Sequence, residues 1–287
     1  RSFWWFCFVS FAMMPSSMQA LIAPRAFLAL SWKRYTEHLG RFLEVSLWML
    51  VPFFIQIAYI FLLTSTVTDT ELRTVWTSNQ ILARTLQTVV MTWVQVRLIK
   101  LALAQNPKDE GYIVSHPHIG WAFVLPLLWV NILTGIAVFG GAIAFVIPGI
   151  WLFFSLLFSG IIVVDQRLRG LRALEASYAL VRRRWWPVVG RVTLSGISFL
   201  GMLFLATFSF SLIFRVLFGG EALQTLSQLN RALLFDGVVS VDALRAFSLL
   251  ELQDALIASI ATPFLVASQV VLYRSLLEAN AAPRQEG

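Results

Sequence analysis

The sequence predicts an all-α fold, a polytopic bundle of about six membrane-spanning helices with two interfacial amphipathic helices. Three observations lead there. Ile119 to Val164 holds no Asp, Glu, Lys or Arg until Asp165 ends the run. A bilayer core is crossed by about 20 apolar residues in a helix, so this run is long enough to cross twice. Hydrophobic residues make up 58% of the 287 and charged residues 13%, against roughly 45–50% and about 25% in soluble domains. The 24 Phe and 11 Trp suit rings that face lipid and line the headgroup boundary.

Residues 1–19 read as an N-terminal extension or signal-like segment. A basic start, the apolar run SFWWFCFVSFAMM and then Pro15-Ser16-Ser17 follow a signal-peptide layout. A fragment, or a true start at Met13, Met14 or Met18, is the plainer reading, because the segment that follows looks cytoplasmic. From residue 20 to 280 the chain reads as a single integral membrane domain, before a polar tail over 281–287. Residues 20–43 alternate Phe27, Leu28, Leu30, Trp32 and Tyr35 with Arg25, Lys33, Arg34 and Arg41, the pattern of a helix lying on a membrane surface. The first span follows at 45–63, with Pro52 tolerated because neighbouring helices can satisfy the freed carbonyl. A polar loop over 64–80 leads to a second span at 81–104.

That second span carries Arg84, Gln87, Thr88, Met91 and Gln95 on one face at 100° per residue. Arg84 near one end, and Arg97 and Lys100 near the other, are placed to snorkel toward headgroups. After a polar loop over 105–118, the uncharged run supplies spans at 120–143 and 149–165. Gly140-Gly141 and Pro148-Gly149 provide the turn between them. A second interfacial helix is expected over 166–186, with Leu171, Leu174, Tyr178, Val181 and Trp185 on one stripe and Arg169, Arg172 and Arg183 across from it. A fifth span at 188–217, a partly helical loop over 218–253 and a sixth span at 255–275 complete the chain.

Charge sets the expected orientation. With the amino terminus inside, the inner segments hold Arg25, Lys33, Arg34, Arg41, Arg97, Lys100, Lys108, Arg167, Arg169, Arg172, Arg182, Arg183, Arg184, Arg191, Arg274 and Arg284. The outer ones hold only Arg73, Arg84, Arg215, Arg231 and Arg245. This bias predicts a multi-pass protein of the cell (inner) membrane with both termini cytoplasmic. The net charge of +7 is then spent beside apolar spans, on anionic lipid headgroups and not on nucleic acid. The lone Cys7 excludes an internal disulfide.

An internal similarity accompanies this layout. Offsetting the chain by 146 residues aligns Ser31-Trp32 with Ser177-Tyr178, Leu39 with Trp185, Phe42 with Val188 and Leu47 with Thr193. Each unit reads as a surface helix, a span, an outer loop and a returning span. A duplication and convergence on a common way into a span both account for it.

The segment from Pro148 to Val189 resembles the membrane domain named after glycerophosphoryl diester phosphodiesterase, and the YciC-type families of uncharacterised bacterial and archaeal membrane proteins. The residues that carry the likeness are Pro148-Gly149-Ile150, Asp165, Gly170, Ala173-Leu174, Ser177, Leu180, Arg182 or Arg184, and Trp185. The ending VVLYRSLLEAN and the early segment LALSWKRYTEHLGRFL are also similar, so the resemblance covers roughly residues 20–280. It implies a helical membrane domain and no activity. Where such a domain is joined to a phosphodiesterase, the chemistry belongs to a separate soluble barrel for which this chain has no room.

No catalytic, cofactor or metal site is expected. His116-Pro117-His118 offers two ligands without a neighbouring carboxylate or thiol, and no GxSxG, HExxH or GxxxxGK[ST] motif occurs. Asp165 is expected to cap the next helix or to pair with Arg167, Arg169 or a neighbouring segment. Two constellations remain. Arg182, Arg183, Arg184, Trp185 and Trp186 suit lipid-headgroup contact. Arg84, Gln87, Thr88 and Gln95, with Gln56, Asn131 and Gln269 elsewhere, offer a polar pathway or interhelical glue, the latter beside the small-residue contacts Ala137/Gly141 and Ser155/Ser159. The expected function is that of a non-enzymatic accessory or lipid-interacting membrane module, with anionic lipids and a membrane protein as partners. The alternative is a small transporter or lipid-translocating permease using the polar face of the second span.

Overall fold

The computed structural model describes residues 21–63, 69–218, 228 and 241–281, and the expected extension over 1–19 and the tail beyond Ala281 lie outside them. The described residues are helical, without a strand. In chain order the helices are α1 (Pro24–Glu37), α2 (Leu39–Ser46), α3 (Val51–Leu63), α4 (Asp69–Leu103), α5 (Pro107–Ser115), α6 (Trp121–Ala144), α7 (Val146–Leu156), α8 (Ser159–Asp165), α9 (Leu171–Val181), α10 (Trp185–Phe218) and α11 (Val241–Ala281). Six described segments are long and apolar enough to cross a membrane: Leu39–Ile60, Ile81–Leu103, His118–Ala144, Val146–Asp165, Trp185–Ile213 and Leu250–Ala281.

Several boundaries differ from the expected ones for identifiable reasons. The surface helix over 20–43 is split at His38, whose backbone leaves the helical region (φ −113°, ψ 16°) as its ring meets Glu110 at 2.8 Å. A 3-10 turn over Leu47–Leu50 precedes Pro52, because a proline ring crowds the carbonyl four residues back. α4 begins at Asp69, inside the expected loop over 64–80. The hairpin turns at Phe145 (φ −160°, ψ 142°) and not at the glycines. Gly141 and Gly149 instead let the arms close: a Cβ on Gly149 would stand 2.8 Å from Ala142 Cα. The expected span over 149–165 is two helices, α7 and α8.

Packing centres on α11, which touches α1, α2, α3, α4, α9 and α10. Ala261, Ala267, Ser268 and Ser275 on it are buried, beside the larger Phe264, Val270, Leu272 and Tyr273. Small side chains let helices approach in a medium where lipid competes for apolar contact. The lipid-facing extreme is α10, with Ile197, Leu200, Phe204, Phe208 and Leu212 exposed.

Basic residues tie the closing ends of these helices together. Arg34 donates to Ala102 O and Ala104 O, and Arg274 to Leu103 O. The last carbonyls of α4, which have no partner within the helix, are thereby satisfied. Arg97 donates to Ile113 O and Val114 O at 2.9 and 2.8 Å, and its guanidinium stands 4.9 Å from the Trp93 ring centre. Lys100 donates to Ile119 O at 3.3 Å. Arg97 is therefore buried, which corrects the expectation that it snorkels to a headgroup. Arg191 anchors the start of the described chain by donating to Ile22 O. The Tyr35 hydroxyl donates to Ile260 O at 2.9 Å, and burial pushes its ionisation up from the ordinary phenol value, so it remains a donor.

Candidate functional site

The basic cluster at the start of α10 forms one wall of a cleft of about 830 Å³. Helix α9 brings it there. Its inner face is Ala173, Leu174, Ser177, Leu180 and Val181. Leu171, expected on that face, is exposed, so the buried stripe is turned toward Ala173 and Ser177. The fully buried Ser177 hydroxyl donates to Ser155 O at 2.9 Å, and Tyr178 meets Trp151 edge-on at 5.4 Å. These contacts hold α9 against α7. Leaving α9, the chain turns through Arg182–Arg184 and restarts as α10.

The opposite wall is Ile147, Pro148, Ile150 and Trp151 from the start of α7. Arg182, Arg183 and Trp186 are exposed, while Arg184 and Trp185 are half-buried. Arg184 spends one amino group on Ala279 O at 3.0 Å. Its Nη1, and the Trp185 Nε1, are buried without an acceptor. A buried donor without an acceptor is costly, and Arg97 Nε is left the same way elsewhere in the bundle; the charge that the cleft itself presents is that of the exposed Arg182 and Arg183. The sequence brought these five residues forward by composition; the apolar wall from α7 lay outside what a local pattern can show.

The polar stripe of α4 resolves differently. Arg84 donates to Glu251 Oε1 at 2.5 Å and to Gln87 Oε1 at 3.0 Å. Gln56 of α3 donates to Glu251 Oε2 at 3.0 Å, so three helices meet at one carboxylate. Thr88 donates back to Arg84 O within its own helix. Gln95 lies two turns further along α4, half-buried and outside this cluster. Glu251, within the partly helical loop expected over 218–253, sits in α11. The signal that could have found it is the pair of carboxylates Glu251 and Asp254 just ahead of an apolar run, in a chain with an intramembrane arginine in need of a partner.

Of the roles expected for Asp165, the structure shows pairing with a neighbouring segment and not a helix cap. Its carboxylate accepts from the Tyr273 hydroxyl at 2.7 Å, and Gln166 donates to the same hydroxyl at 2.9 Å. The residue before α9 is Gly170, with no side-chain cap there. Ser31, paired with Ser177 in the internal alignment, is equally buried but bonds within its own helix to Phe27 O. No group of three potential metal ligands occurs among the described residues.

Comparison with known proteins returns nothing that matches: no family model, no curated protein and no solved structure.

Proposed function

We propose that this chain is a non-enzymatic accessory protein of the cell (inner) membrane, with both termini cytoplasmic, that binds the phosphate of an anionic lipid in the cleft between Ile147–Trp151 and Arg182–Trp186. The observation that carries this reading is the cleft itself, lined on one side by three consecutive arginines and on the other by Ile147, Pro148, Ile150 and Trp151. Arg182 and Arg183 supply exposed charge at its mouth, and Trp151 and Ile150 supply apolar surface for the first methylenes of an acyl chain. Lipid is the chemistry that presents both at once. The concentration of basic residues in the segments named above supports the orientation.

The ion pair at Glu251 supports a locking role for Arg84 and Gln87 over a conducting one, since Arg84 is already engaged by Glu251 Oε1 and Gln87 Oε1. The test is lipid retained by the purified protein, read by native mass spectrometry. Each basic residue near an anionic surface is worth about 1 kcal/mol, so Arg182→Gln with Arg183→Gln should weaken retention of phosphatidylglycerol about 30-fold. Retention of phosphatidylglycerol equal to that of the parent chain, with the fold intact, would remove the proposal.

A further inference from the structure

Both ends of the α6–α7 hairpin lie beside the closing turns of the other spans. At its base, Lys100 donates to Ile119 O at 3.3 Å, and a Cβ on Gly120 would stand 2.9 Å from Trp93 Nε1. Helix α6 therefore starts against the last turns of α4. At its tip, Ile147 to Trp151 share a cleft with Arg182–Pro187, and Phe154 meets Trp185 at 6.0 Å. Those neighbours are tied to the last turn of α11, by Arg184 to Ala279 O at 3.0 Å and by Asn280 to Leu180 O at 3.4 Å. The closing turns of α4 and α11 are themselves joined through Arg274 and Leu103 O.

Two successive crossings would put base and tip on opposite sides, because the 24 residues of α6 extend about 36 Å. The contacts put both on the arginine-rich side. Helix α9 gives the same answer. It accompanies the hairpin from Gly170, whose added Cβ would lie 3.8 Å from Trp129, to the cleft at the tip. Its outward face carries Arg172 and Glu175, followed by Arg182 and Arg183. Were the hairpin upright, that charged face would run through hydrocarbon, where ionised side chains are tolerated only inside a bundle or a wet cavity. The units α1–α4 and α9–α11 each contain a surface helix and two long apolar helices, and the hairpin has no counterpart in either.

We infer that Trp121–Asp165 is an interaction surface for a single leaflet, lying along the arginine-rich side with its apolar face among the acyl chains of that leaflet. The chain then crosses four times, through Leu39–Ile60, Ile81–Leu103, Trp185–Ile213 and Leu250–Ala281. The contact face is Leu125, Trp129, Ile132, Ile136, Phe139 and Ile143, all exposed and spaced by three and four residues, which sets them on one side of α6. The inference is independent of which lipid occupies the arginine cleft.

Depth measurement tests it. In a Cys7→Ser background, single cysteines replace the exposed Leu125, Ile132, Phe139 and Phe145, carry a bimane label, and are quenched in liposomes by lipids spin-labelled near the headgroup or near the chain end. The ratio of shallow to deep quenching should agree within about twofold at all four positions. A ratio that swings to deep at Ile132 and back at Phe145 overturns the inference, and so does a steady deepening toward Phe145. A second measurement places a Gly-Ser-Cys-Gly-Ser insert after Phe145 and labels it with a membrane-impermeant maleimide, using Arg183→Cys as the reference. Labelling from the same side as Arg183→Cys supports the inference. Labelling from the other side, or only after detergent, overturns it.

Discussion

The contact of Arg84 with Glu251 yields the sharpest stability prediction. Glu251 is largely buried, with 14% of its side chain exposed, whereas Arg84 is 52% exposed. Among the described residues, Arg84→Met removes the one basic group bonded to that carboxylate and leaves Gln56 as a bonded partner. A hydrogen bond to a charged group is worth about 1.5–3 kcal/mol in soluble proteins, but interhelical polar contacts in membranes average about 0.6 and reach about 1.7 kcal/mol. Because Arg84 is half open to its surroundings, a loss of about 1–1.5 kcal/mol is expected. Glu251→Leu should cost a similar amount, since it takes the acceptor from Gln56 Nε2 and Arg84 Nη2 and leaves Arg84 bonded to Gln87 within its own helix. The double variant should then lose less than the sum, with a coupling of about 1 kcal/mol. The assay is reversible unfolding of the detergent-solubilised chain, followed by far-ultraviolet circular dichroism for all four members of the cycle. Strict additivity would refute the claim that this pair locks α4 to α11.

Three further outcomes follow from local geometry. Gly149→Ala drives a methyl to 2.8 Å from Ala142, so the hairpin arms must separate, at a cost of about 1–3 kcal/mol in the same unfolding assay. Gly170→Ala meets no close atom, but at φ +56° and ψ −135° it should lose about 1–3 kcal/mol from backbone strain alone; Gly190→Ala, with open space around it, is the control. Arg274→Met strips the cap from Leu103 O, and amide exchange should quicken at the end of α4 while the centre of α11 is unaffected.

Much of the architecture was legible because its causes are local in sequence. A run of apolar residues identifies a span whatever it packs against, which is why Leu39–Ile60, Ile81–Leu103, Trp185–Ile213 and Leu250–Ala281 fall close to expectation. Rank among the spans was not legible. Trp185–Ile213 and Leu250–Ala281 have the same mean hydropathy of 2.0, yet the first faces outward and the second is the centre of the bundle. Composition hints at the difference: α11 carries eight Ala and two Phe where α10 carries one Ala and six Phe. The use of charge was legible only in part. Arg34, Arg97, Arg184 and Arg274 lie beside spans, as topology signals do, but each also satisfies carbonyls of a distant helix. Partners 16 to 171 residues away leave no mark on a local pattern. The cleft was half visible for the same reason, its arginines and tryptophans contiguous and its apolar wall contributed from another helix.

The account stands on the outward apolar face of α10 being covered by hydrocarbon. Spin labels at Ile197, Leu200, Phe204, Phe208 and Leu212 in reconstituted vesicles, scored for collision with oxygen and with a water-soluble nickel chelate, read that covering directly. High oxygen and low chelate access at all five, with oxygen access greatest near the middle positions, is the predicted result. Free access of the chelate to Phe204 and Phe208 would contradict it.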